Sequence, residues 1–175
     1  MKPLASSDGG KTLAPSETRL TDIAIWDFAV AFYQQPSVEA DCLAAQDTHN
    51  LDVTVLIFAL YRASRHEGFD TGIASDLART LSARLIEPLR AARLALKSMP
   101  QLVDQLACAN LRVRVKEAEL EAERLTLGAL AELPVKGEVT SYEAALLAIA
   151  SASQVAPSLA VTALLKRLAL AAQNM

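Results

Sequence analysis

The side chains best suited to chemistry fall in two short polar groups. Asp47, His49 and Asp52 lie close together in one, and His66, Glu67 and Asp70 make the other. Carboxylates beside imidazoles are metal-binding or acid–base groups, but a zinc site needs three or four ligands with convergent geometry. A helical di-iron site needs Glu-x-x-His pairs on facing helices. Neither spacing occurs, and His66-Glu67 lacks the second histidine of a metalloprotease helix and is interrupted by Gly68. Cys42 and Cys108 stand far apart with no CxxC pair and no neighbouring histidine, so each reads as a small buried hydrophobe. The serines have no GxSxG context. Gly9-Gly10-Lys11 has no strand before it to make a phosphate loop. These residues predict no catalytic set, no metal site and no bound cofactor.

The elements that would position any site are legible from the run Val53-Thr-Val-Leu-Ile-Phe-Ala-Leu-Tyr61. At about 100° per residue its side chains point in every direction, and a helix apolar all round belongs in a core. It is too short for a bilayer, which needs about 20 apolar residues. The same run is rich in strand formers, so a buried strand is the alternative; the helical neighbours favour helix. Asp52 is placed to cap it.

Around this centre the spacing predicts an all-α, mostly antiparallel bundle of about six or seven helices with one long helical hairpin. Residues 1–19, rich in Ser, Gly, Pro and Thr, read as a disordered tail before a single domain over 20–175. Thr21 or Asp22 opens a first helix that Pro36 stops, with Ile23, Trp26 and Val30 on one stripe, Ile25, Phe28 and Phe32 on a second on the far side, and Asp27 half-buried at the edge of the first. Ser37 caps the second. A fourth runs from about Ser75 to Lys97, with Leu81, Leu85 and Leu89 on its apolar face and Pro88 inside it, which should kink it or split it in two. The fifth, from Gln101 to Leu133 with Pro100 in its first turn, carries a coiled-coil-like seam through Leu106, Ala109, Val113, Leu120, Leu127 and Leu130. Its charges segregate, Arg112, Arg114 and Lys116 before Glu117, Glu119, Glu121 and Glu123. They serve either a dimer seam or pairs within the hairpin, where equal rise sets Arg93 near Asp104 and Arg79 near the glutamates. Thr140 with Glu143 forms a capping-box signature, and an apolar final helix docks on the core.

Composition narrows the function. The chain has 175 residues, is 52% hydrophobic and carries a net charge of −3, with a pI near 5.4. That balance makes nucleic acid an unlikely partner. The leading segment has no apolar signal core, and the reading is a cytoplasmic protein without a membrane span.

The chain also resembles an uncharacterised bacterial family of all-helical domains of unknown function. The resemblance rests on Trp26-Asp27-Phe28, Tyr33, Pro36, Val38, Cys42-Leu43, Gln46-Asp47 and Leu51-Asp52-Val53 with Leu56. It continues through Pro88-Leu89-Arg90, Val115-Lys116, Ala118-Glu119-Leu120, Ala122, Glu123 and Arg124, and covers roughly residues 22 to 130. It implies no activity. Its polar members, with Trp26, make the candidate pocket or partner surface: Trp26, Asp27, Gln46, Asp47, Asp52, Glu119, Glu123 and Arg124. The alternative is that they cap helices and satisfy one another as a buried network. Two functions follow as expectations: a non-enzymatic helical protein that binds a protein partner or itself, or a small-molecule binder or enzyme using the group around Asp27, Gln46, Asp47 and Asp52. An anion on the face of Arg79, Arg90, Arg93 and Lys97 is a third.

Overall fold

The structure, a computed structural model, describes residues 17–100 and 104–175, with side chains from residue 24 onward. It is all-helical: α1 Glu17–Tyr33, α2 Val38–His49, α3 Val53–Ser64, α4 Thr71–Leu81, a π-helical turn Ser82–Ile86, α5 Glu87–Lys97, α6 Gln105–Ala131, α7 Tyr142–Ala152 and α8 Leu159–Gln173. Taking α4, the π turn and α5 as one bent helix gives seven among the described residues. No helix there is long and apolar enough to cross a membrane.

Helix α3 is the centre. Thr54 through Ala63 are all buried, and α1, α4, α6, α7 and α8 all pack on it. Asp52 caps it as its sequence position predicts, Oδ1 accepting from the Thr54 amide at 2.8 Å and from the Thr54 hydroxyl at 2.5 Å.

Several local expectations are corrected. Helix α1 begins at Glu17, so Thr21 and Asp22 lie inside it; the rest of the expected tail, residues 1–16, lies outside the described residues. Asp27 is exposed, because the buried line of α1 runs through Ile25, Ala29 and Phe32 and leaves Val30 on the outer side. Ser37 takes a left-handed conformation (φ 67°) and makes no side-chain cap.

Helix α4 starts a turn earlier than expected, capped by Asp70 accepting from the Ile73 amide. Its bend comes before Pro88. The proline lacks an N–H and its ring crowds the preceding turn, and the chain answers with the wider π turn over Ser82–Ile86. That winding keeps Ile86 on the buried face of Ala74 and Ala78 and leaves Leu85 outside.

Helix α6 starts at Gln105, with Asp104 accepting from the Leu106 and Ala107 amides; Pro100 precedes the helix, and the expected start over residues 101–103 lies outside the described residues. Ser141, not Thr140, caps α7 by accepting from the Ala144 amide, and Ser158 caps α8. As the apolar end of the chain predicts, α8 docks on α2, α3 and α7. Asp41, buried on α2, accepts from Arg167 Nε and Nη2 at 3.1 and 2.7 Å and fixes it there.

Candidate functional site

The α5–α6 hairpin forms, in a register that side-chain chemistry sets. Glu119 is 6% exposed and accepts from Arg90 Nε at 2.9 Å and Arg93 Nε at 2.5 Å. Arg93 therefore meets Glu119 rather than Asp104, and Arg79 pairs with Asp76 on its own helix. Burial raises the Glu119 pKa, but the two guanidiniums outweigh it and hold the carboxyl below its ordinary value. Glu119, of the four glutamates in the acidic half of α6, is thus neutralised within the chain.

Beside this clamp a cleft of about 730 Å³ opens between α1, the start of α3, α4 with its π turn, and α6. Its floor is apolar, with Trp26, Val30, Leu51, Ile57, Ile86 and Leu127 along it. Polar groups gather where α3 begins: Asp52 at the cap, Gln46 and Asn50 from the end of α2, and Glu123 with Arg90 from the hairpin. The turn that delivers Asp52 is fixed by Asn50, whose left-handed backbone (φ 53°) ends α2, its amide donating to the Gln46 carbonyl and the Leu51 amide to the Ala45 carbonyl. The π turn contributes Ser82 as well as Ile86.

Of the eight candidate residues, Trp26, Gln46, Asp52 and Glu123 border this cleft. Glu119 lies behind its wall, bonded to Arg90. The Arg124 guanidinium sits 5.8 Å from the Trp26 ring centre. Asp27 and Asp47 are exposed and do not border it, so the expected grouping of Asp27 and Asp47 with Gln46 and Asp52 does not form: the first two lie on the outer faces of α1 and α2. Among the described residues, no three His, Cys, Asp or Glu side chains gather to hold a metal.

Electrostatics distinguish the wall groups. Glu123 is desolvated and only loosely paired, at 3.4 Å from Arg90 Nη2. Burial, the Glu119 charge and the Asp52 charge raise its pKa, and together they outweigh Arg90. Tyr33 borders the cleft beside the buried Cys42. Burial pushes the Cys42 thiol up to about 12, so it stays protonated near neutrality.

Sequence reasoning passed over Ser75, Asp76, Ser82 and Glu87 on the cleft, because the helix was expected to start at Ser75 and its irregularity was placed at Pro88 rather than in the turn before it. Proline inside an apolar helical pattern was the available signal for an irregular, wall-forming turn. It also passed over Arg62, 4% exposed, whose Nη2 donates to the Ala131 carbonyl at 3.0 Å and to the Leu133 carbonyl. Its Nη1 donates to Glu67 at 2.7 Å.

Comparison with curated proteins and with solved structures finds no match. A family model described as "protein of unknown function (DUF2390)" matches residues 24–130, more than half of the chain and including the later part of α1, all of α2 to α5 and nearly all of α6. The chain belongs to that family of proteins of unknown function.

Proposed function

We propose that this protein is a non-enzymatic binding protein whose ligand, a small organic molecule, occupies the cleft at the start of α3. The observation that carries this reading is the cleft itself: its volume lies within the range of small-molecule sites, about 300 to 1,000 Å³, and it combines an apolar floor with polar and charged groups that can orient a ligand. The π turn in its wall supports the same reading, since such turns recur at functional sites.

Trp26 is the single tryptophan and borders the cleft, so its fluorescence reports occupancy. Ligand screening read by that signal should give saturable changes. Val30→Phe, at a half-open position on the cleft edge, should abolish them while leaving the fold intact. Responses that survive Val30→Phe would contradict the reading.

A second reading, association through α6, has its own observation. Leu106, Val113 and Leu120 are 71%, 58% and 50% exposed, the upper part of a stripe whose lower part, Leu127 and Leu130, is buried in the core. Sedimentation of Val113→Asp against the parent tests it: an oligomer that the substitution dissociates supports it, and a monomer throughout contradicts self-association.

A further inference from the structure

We infer that the ligand taken by this cleft is an organic cation, an ammonium or amidinium group on an apolar body. The inference rests on the binding reading above and adds the sign of the ligand's charge.

Carboxylates outnumber guanidiniums on the wall: Asp52, Asp76, Glu87 and Glu123 against Arg79 and Arg90. Arg79 and Asp76 offset each other in an exposed pair, and Arg90 is committed to the buried Glu119, which leaves Asp52, Glu87 and Glu123 as the excess charge on the wall. An anion would have to draw Arg90 away from Glu119, leaving a buried carboxylate unpaired, which is costly. The carboxylates have more to offer. Glu87 makes no hydrogen bond or ion pair among the described residues and sits at the rim. Glu123 has one long contact and stands within the field of Asp52. A cation between Asp52 and Glu123 relieves their mutual repulsion, and its N–H groups meet acceptors not fully used.

The rest of the wall fits the same occupant. Ser75 also borders the cleft, and its Oγ is buried without a hydrogen-bond partner among the described residues. The Trp26 ring and the aliphatic floor suit the apolar body of such a molecule. Since burial and neighbouring charge raise the Glu123 pKa, a bound cation should lower it, so binding should tighten as pH rises.

Three probes on one apolar body decide it: adamantyl ammonium, the near-isosteric adamantanol, and the larger adamantane carboxylate, titrated against the full chain with Trp26 fluorescence as the readout. The ammonium should bind about tenfold or more tightly than the alcohol, the difference that a charge-assisted hydrogen bond provides, and the carboxylate most weakly. Glu123→Gln should bring the ammonium down to the alcohol's affinity and leave the alcohol unchanged. Glu87→Gln, an exposed substitution with no structural partner, should weaken the ammonium alone and by less. Equal binding of ammonium and alcohol, or a preference for the carboxylate, would overturn the cation inference and leave the cleft reading standing. Absence of binding by all three would overturn the cation inference together with the cleft reading that it rests on.

Discussion

Helix α3 meets opposite environments at its two ends. At its C-terminal end Arg62 is enclosed: its guanidinium donates to the carbonyls that finish α6, pairs with Glu67, and stands 5.3 Å from the Phe58 ring centre. Next to it Gly68 exchanges backbone hydrogen bonds with the chain after α6, Gly68 N to Gly137 O at 2.9 Å and Lys136 N to Gly68 O at 2.8 Å. At the N-terminal end another arginine and glutamate, Arg90 and Glu123, stand loosely paired beside a cleft. The same side-chain types lock one end and leave capacity at the other. What differs is packing: carbonyls and Glu67 engage both terminal nitrogens of Arg62, whereas a cleft lies beside Glu123.

That contrast orders the expected effects of substitution. Arg62→Met should be the most damaging, lowering stability by about 3 to 5 kcal/mol in urea unfolding, because the Ala131 and Leu133 carbonyls each lose their donor at about 1 to 3 kcal/mol. A loss under about 1 kcal/mol would mean that the lock is no stronger than a surface ion pair.

Glu119→Gln should cost about 2 to 3 kcal/mol, because the amide leaves two half-buried guanidiniums without a charged acceptor. It should also change the acid limb. The pKa of Glu119 is depressed in the folded state, so its contribution is full above the unfolded value of about 4.3 and is lost as pH falls through the folded one. Glu123, with a raised pKa, works oppositely: its contribution is greatest at low pH and declines as pH rises through its folded value. Unfolding measured against pH should therefore show a shallower acid loss in Glu119→Gln than in the parent.

Gly68→Ala should cost about 1 to 3 kcal/mol. A Cβ there would press on the Lys136 carbonyl and lie 2.7 Å from the Gly137 carbonyl carbon, both backbone atoms of the paired segment. Thermal unfolding measures the loss, and an unchanged midpoint would show that this segment shifts freely. Asp52→Ala, at the open end, should cost only about 1 kcal/mol, the usual value of an N-cap, and urea unfolding should place it last. A loss as large as that of Arg62→Met would erase the distinction between the two ends.

The closed end was half legible in the sequence. An all-round apolar run through Tyr61 announces α3 and its burial, and by the same logic the next residue, Arg62, had to be inside and in need of partners. Those partners are backbone carbonyls some seventy residues away, and backbone acceptors leave no residue-type signature. The cap at Asp52 was legible because it is local. The Arg90, Arg93 and Glu119 clamp was not, since equal-rise arithmetic from an assumed tight turn sets the wrong register. Asp27 and Asp47 illustrate the reverse error: they belong to the family resemblance, yet a one-residue step around a helix carries each to the outer face.

The most direct test of the contrast is a chemical-shift titration of isotopically labelled protein with adamantyl ammonium. Saturable shifts should appear at the Trp26 indole and at the amides of Val30, Asp52, Ile86 and Leu127, all on the cleft, while Arg62, Gly68 and Lys136 at the closed end stay unmoved. Shifts centred on Arg62 and Gly68, or on the exposed stripe of Leu106 and Val113, with the cleft silent, would contradict the account.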